Sequence, residues 1–195
     1  MKTAEKGKII VLSAPSGSGK STIIKKLMEN PKLKLGFSIS ATSRQPRGEE
    51  KHGKEYFFLT EEEFKKNVEA GNFVEWEEVY SGCCYGTLVS EVERITGKGN
   101  NLIMDVDVKG ALNIKKRYGN EAITIFIMPP SKEILEERLR NRGTDSEETI
   151  RKRLQKSEYE MGFAKDFDYV VVNDILEEAV DGVESKIIQF IGSEE

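Results

Sequence analysis

The sequence predicts an α/β fold built on a parallel sheet. Three observations predict it: short apolar runs separated by helical periodicity, a Gly/Ser segment lodged between the first run and the first helix, and a long amphipathic helix at the end. The first run, Lys8–Ala14 (KIIVLSA), reads as a buried strand, and the helix after it carries Ile23, Ile24, Leu27 and Met28 on one side. Further strands are expected at Asn101–Val106 (NLIMDV), Ala122–Met128 (AITIFIM) and Tyr169–Val172 (YVVV), with helical patterns between them. From Ile175 to Ile191, Leu176, Ala179, Val180, Val183, Ile187 and Ile191 recur at helical spacing and should close the core.

With 195 residues, the chain has room for one core domain and inserted segments. Its 30 Lys and Arg against 34 Asp and Glu leave a net charge of -4, so the broad positive field of a nucleic-acid binder is missing and no nucleic-acid partner is expected. There is no apolar run of membrane-spanning length and no signal-peptide pattern, which predicts a cytoplasmic protein with no membrane partner. Cys83 and Cys84 are adjacent and are the only cysteines, and His52 is the only histidine. Disulfide frameworks, structural zinc sites and histidine-based triads are therefore disfavoured, and the chemistry falls to Arg, Lys, Asp, Glu and hydroxyl groups.

Two segments break the alternation. The first spans about 38–93 and opens with a polar Arg/Pro/Gly stretch; Thr60 stands three residues before Glu63, the spacing of a capping box. Tyr56, Phe57, Phe58, Phe64, Phe73 and Trp76 are expected to form a satellite core there. The second, 131–160, has 16 charged residues among its 30. Its helices carry only the narrow apolar stripes Ile134, Leu135, Leu139 and Ile150, Leu154, Met161, so they should lie across the surface and be free to move.

The segment SAPSGSGKST, Ser13 to Thr22, has the strand–loop–helix context of a Walker A phosphate loop, with Ala14 where the strict pattern has Gly. The backbone N–H groups of Ser16, Gly17, Ser18, Gly19, Lys20, Ser21 and Thr22 would cradle the phosphates of ATP; the glycines permit close approach, Lys20 would neutralise phosphate oxygens, and Ser21 would hold Mg²⁺. Asp105, at the carboxyl end of a strand, is the candidate second magnesium contact, with Asp107 two positions on. Either aspartate could instead cap the helix that starts near Lys109.

The acceptor is indicated by Ser40 to Arg47 (SATSRQPR), whose Arg44 and Arg47 suit bidentate binding of a phosphate, though they could equally be a solvated pair. Glu75 could accept from the N1 and N2 donors of guanine while Ser40 and Thr87 address the same edge; adenine, with an acceptor at N1, would be disfavoured. Glu75, Glu77 and Glu78 could also be no more than the solvated side of a helix or strand.

From about Lys8 to Ile191 the chain resembles the guanylate kinases, which move the γ-phosphate of ATP to GMP. The phosphate loop, the pattern S-x-x-x-R-x-P-R-x-x-E-x-x-G-x-x-Y and the Arg-Gly-Thr-Asp segment carry the likeness. The resemblance implies a P-loop nucleoside monophosphate kinase fold, divided here into core (1–39, 94–130, 161–195), GMP-binding domain (40–93) and helical lid (131–160). It places Ser40, Glu75, Thr87 and Asp107 around guanine, and Arg44, Arg47, Tyr56 and Tyr85 on the GMP phosphate. It also brings Arg142 and Arg153 onto the transferring group, Arg138 beside adenine, and Asn173 to the ATP base. Lys20, Arg44, Arg142 and Arg153 are the implied catalytic set, GMP and dGMP the implied acceptors, and monomer or homodimer is left open. YSGCCY, Tyr80–Tyr85, departs from the family turn by one extra residue between Glu75 and Tyr85. Two rival readings are a P-loop kinase with another acceptor and a non-catalytic binding module; retention of Lys20, Ser21, Arg44, Arg142 and Arg153 together disfavours the second.

Overall fold

A computed structural model describes residues 6–80, 82–141 and 146–192. Strands β1 (Ile9–Ser13), β2 (Leu35–Phe37), β7 (Asn101–Asp105), β8 (Ala122–Met128) and β9 (Tyr169–Val172) form a parallel sheet in the order β2-β7-β1-β8-β9. The continuous apolar runs follow from burial on both faces. One face packs Ile9, Val11, Leu102, Met104 and Phe126 against helices α3 (Val89–Thr96) and α4 (Val108–Tyr118). The other packs Ile10, Leu12, Ile103, Ile125 and Ile127 against α1 (Lys20–Met28) and α7 (Leu176–Ile191).

The predicted strands at 101–106, 122–128 and 169–172 are present, the first ending one residue early at Asp105. Strand β2 was not foreseen, because three residues of half-buried edge give almost no periodic signal. Met28 does not join the apolar side of α1; it is exposed, since Ile23, Ile24 and Leu27 already fill that contact. Helix α7 buries Ala179, Val183 and Ile187 as its spacing requires.

Between β2 and α3 the chain builds a second sheet, β4-β3-β6-β5, from β3 (Ala41–Thr42), β4 (Phe57–Phe58), β5 (Phe73–Tyr80) and β6 (Cys83–Leu88). Helix α2 (Glu61–Glu69) covers it, with the expected capping box: Thr60 Oγ1 accepts from Glu63 N while Thr60 N donates to Glu63. Phe64 and Phe73 stack at 4.4 Å in its small core. The aromatic core is smaller than the sequence suggested: Trp76 is 48% exposed, and Tyr56 and Phe58 turn toward Arg44. The extra residue of the 75–85 hairpin is absorbed by a register shift between Glu78 and Tyr80, so Glu75 still pairs with Thr87 and Glu77 with Tyr85.

Helices α5 (Lys132–Asn141) and α6 (Glu147–Met161) are the predicted charged pair. Leu135 and Leu139 of α5 are buried against the phosphate loop, whose Gly17 could carry no Cβ without pressing on both. Arg140 pairs with Glu136 in its own helix and with Glu147 in α6. Ser146 caps α6 by accepting from Thr149 N.

Asn101 joins the start of the core: its Oδ1 accepts from Lys8 N at 2.9 Å and its Nδ2 donates to Leu33 O at 2.9 Å. Asn101→Ala leaves two backbone groups unpaired at the head of the sheet. We expect a loss of about 2–3 kcal/mol in urea unfolding, against near-zero cost if water replaces both bonds.

Candidate active site

The phosphate loop leaves the carboxyl end of β1 at the point where the chain runs to β2 on one side and to β8 on the other, the crevice in which open α/β sheets bind ligands. Gly17 (φ 96°) and Gly19 (φ 86°) take the left-handed conformations that make the loop possible. At Gly19 a Cβ would stand 2.3 Å from the Asn173 side chain. Ser16 to Thr22 line a cleft of about 370 Å³ together with Ala14, Asp105, Val106, Asp107 and Glu160. Lys20 Nζ lies 2.5 Å from Asp105 Oδ1 and donates to Val106 O at 3.3 Å. The Ser18 hydroxyl is buried with no hydrogen-bond partner among the described residues. A loop offering N–H groups, a lysine and an unsatisfied hydroxyl suits a polyphosphate.

Two elements brace this cleft. Asn173, buried after β9, donates from Nδ2 to Ser18 O at 2.7 Å, and Arg138 of α5 donates to Asn173 O at 3.0 Å. Arg153 of α6 reaches the loop itself, donating to Ser16 Oγ at 3.2 Å. Arg142 lies outside the described residues.

A second cleft of about 140 Å³ opens on the other side of the β7 end, lined by Ser40, Glu75, Glu77, Tyr85, Gly86, Asp105, Val106 and Asp107. Residues 105 to 107 thus form a wall common to both clefts. Strand alternation puts Glu75 and Glu77 on the same side of β5. Thr87 donates to Glu75 Oε1 at 2.7 Å. Burial raises the Glu75 carboxyl to about 7, against the opposing pull of Thr87 and with further repulsion from Asp107. Glu77 is raised to about 7 by its hydrogen bond to Asp107 and by burial. Asp107 is partly buried, which would raise it, but Glu77 and the N–H groups of Gly110 and Lys109 outweigh burial and hold it low. Its Oδ1 accepts from Gly110 N at 2.9 Å, so Asp107 is a helix cap and a lining residue at once.

At the mouth of this cleft Arg44 is fixed from three directions. Its Nε donates to Tyr85 Oη at 3.0 Å, its two terminal nitrogens grip Glu50 at 2.7 and 2.9 Å, and its guanidinium lies 4.9 Å from the Tyr56 ring centre. Glu50 is lowered to about 2, chiefly by Arg44. Arg47 is exposed, and its backbone N–H donates to Glu50 Oε2 at 2.8 Å. The structure therefore lines one cleft with Ser40, Glu75, Tyr85 and Asp107, joins Thr87 to it through Glu75 and Arg44 through Tyr85, sets Tyr56 against Arg44, and leaves Arg47 exposed. Sequence reasoning gave no role to Glu50 or Glu160 and left Glu77 as a possible solvated residue. Glu77 was detectable from its i, i+2 relation to Glu75 once β5 is a strand, whereas nothing local marks Glu160.

Among the described residues there is no cluster of three or more His, Cys, Asp or Glu arranged to hold a metal, and no helix long and apolar enough to cross a membrane. Ser21 and Asp105 supply two hard oxygen donors beside the phosphate loop. That small set fits Mg²⁺, which keeps waters and takes further ligands from substrate phosphates.

The family model described as "Guanylate kinase" matches residues 6–190. A guanylate kinase of Porphyromonas gingivalis is 56% identical over 184 residues, covering 94% of this chain and 98% of that protein. One from Bacteroides thetaiotaomicron is 55% identical, covering 96% and 92%. The crystal structure of guanylate kinase from Anaplasma phagocytophilum superposes with a TM-score of 0.74 at 32% identity, covering 97% of this chain and 89% of that one.

The raised Glu75 carboxyl carries a stability consequence. Its folded value, about 7, lies above its ordinary 4.5, so the folded protein holds a proton that the unfolded chain releases between those limits, and stability falls as pH rises through that window. Glu75→Gln removes the charge to be buried. Its melting temperature should exceed that of the parent by a few degrees at pH 8 and by little at pH 4; an equal offset at both would contradict the assignment.

Proposed function

The chain belongs to the guanylate kinase family, and from that membership we propose the reaction carried by its two adjoining clefts: transfer of the γ-phosphoryl group of ATP to the phosphate of GMP, giving ADP and GDP. The observation that supports it best is the common wall, Asp105 to Asp107, which sets a phosphate-loop cleft and a carboxylate-lined cleft side by side. Two nucleotides held there meet phosphate to phosphate, so direct in-line transfer needs no covalent relay through the protein.

The loop residues Ser16 to Thr22 hold the ATP phosphates, with Lys20 exchanging its contact with Asp105 for the β and γ oxygens. Ser21 and Asp105 would hold Mg²⁺, whose bound charge offsets that of the phosphates. In the neighbouring cleft Glu75, as carboxylate, accepts from guanine N1–H and N2–H; Ser40 donates to O6, and Thr87 and Asp107 complete the edge. Arg44 and Arg47, with Tyr56 and Tyr85, take the GMP phosphate, for which Glu50 stands in when the cleft is empty. The acceptor phosphate is already an oxyanion at neutral pH and needs no histidine base. These groups address base and phosphate only, so dGMP is accepted as well.

Residues 40–93 act as the GMP-binding unit, 131–160 as the lid, and the remainder as the core. Arg153 already contacts the loop at Ser16, and Arg138 and Asn173 stand on the side of the loop that the adenosine would occupy. Closure of the lid brings Arg142 and Arg153 to the equatorial oxygens and excludes water, which limits hydrolysis.

ADP release from Mg-ATP should occur with GMP and not with AMP, CMP or UMP, with GDP identified directly. Release with another nucleotide alone would replace the acceptor assignment, and none with any acceptor would favour a binding module. Arg142→Ala should lower kcat about 100-fold or more while the KM for GMP stays within a few-fold, because its charge is needed mainly in the transition state. A rise confined to KM would contradict that role.

A further inference from the structure

Glu91 is buried to 2% exposure in the first turn of α3, away from both clefts and outside the set of residues just assigned. Its Oε1 accepts from the backbone N–H of Ile39 at 3.0 Å, and Arg94 Nε and Nη2 donate to its two oxygens at 2.8 and 2.6 Å. Burial alone would raise this carboxyl; Arg94 and the Ile39 N–H overcome it and hold the group ionised. An ionised side chain so enclosed is retained only where its bonds fix something.

What it fixes is the crossing between the two sheets. The chain leaves the large sheet at Phe37, passes through the irregular residues Ser38, Ile39 and Ser40, and enters β3 at Ala41; it returns at Leu88 directly into α3. Ser38 N is held by Ile103 O at 3.3 Å, and Ser40 O by Phe57 N at 2.9 Å. Between those two backbone contacts, the Ile39 N–H is held by Glu91. The outgoing and returning crossings are thereby joined through one carboxylate, next to Ser40 in the guanine cleft.

We propose that Glu91 is a positioning residue for the acceptor nucleotide: through Ile39 it sets Ser40 against guanine and holds the GMP-binding sheet in register with the core. The proposal rests on the GMP reading of the cleft. Arg94 is half exposed and pairs with the same carboxylate, but it makes no hydrogen bond to Ile39; the bond that sets the crossing is the one from the Ile39 N–H to Glu91.

The test compares Glu91→Ala, Glu91→Gln and Arg94→Gln with the parent in steady-state kinetics, in GMP titration calorimetry and in thermal melting. Glu91→Ala frees the Ile39 N–H and should raise both KM and Kd for GMP about tenfold, the effect of one lost hydrogen bond to a charged acceptor, with KM for ATP unchanged within twofold. Glu91→Gln keeps an acceptor oxygen and should recover most of that loss. Arg94→Gln loosens the same turn but leaves the Ile39 bond, so it should lower the melting temperature while KM for GMP stays within twofold. Should Glu91→Ala not fold, the Gln pair serves alone: the proposal requires a larger GMP effect at Glu91 than at Arg94. Equal GMP and ATP effects, or GMP constants that follow melting temperature across the series, would overturn it as a merely structural role. A parent enzyme that makes no GDP would instead remove the acceptor reading on which it rests.

Discussion

The parallel pairing of β1 with β7 sets Leu12 beside Asp105, which brings the lysine of the loop after β1 within 2.5 Å of the last residue of β7. The chemistry of the protein depends on that register. A slip of one residue would exchange the two faces of β7, turning Asp105 toward the core and Met104 toward the loop. The apolar runs of both strands prevent it, because Ile103 and Leu102 each fill a different layer of the core. The sheet thus does more than support the site. Its register decides that a phosphate-binding loop and an acidic strand end share one crevice, and the β7 end then becomes the partition between two clefts.

The charges around that partition differ from one cleft to the other. Lys20 and, from α6, Arg153 stand on the side of the phosphate loop, while Glu75, Glu77 and Asp107 stand together on the other side. Burial raises the Glu75 carboxyl to about 7, with repulsion from Asp107 adding to it, and Glu77 is raised to about 7 first by its hydrogen bond to Asp107 and then by burial. A partner presenting N–H donors would favour the ionised form of either carboxyl. Arg44 is held in one orientation by Glu50 and Tyr85, which limits the freedom of its side chain at the mouth of the second cleft.

The phosphate loop was legible in the sequence because its parts are contiguous and its neighbours, an apolar strand and an amphipathic helix, are local patterns. The parallel sheet was legible for the same reason, except for β2, which is too short to show a period. The acceptor cleft was less legible, and the family pattern was needed to choose between its readings: Arg44 and Tyr85 are 41 residues apart, and Glu75 and Asp107 belong to different elements. Composition could not say that Glu75 faces inward while Trp76 is exposed; the pairing of β5 with β6 decides it. The one-residue departure in the hairpin could not be placed from the sequence; the structure has a register shift between Glu78 and Tyr80, with Glu75 paired to Thr87 and Glu77 to Tyr85. Glu91 and Arg94 stand at the i, i+3 spacing common to surface pairs, and it is the fold that encloses the carboxylate.

The central claim is that the two nucleotides meet directly across the β7 end, with no protein group carrying the phosphoryl in between. ATP made chiral at its γ-phosphorus with oxygen isotopes tests it most directly, by the configuration of the β-phosphate in the GDP formed from GMP. A single in-line displacement predicts inversion. Retention would mean two successive displacements through a phosphorylated side chain, and would contradict the account of a common wall between adjoining sites.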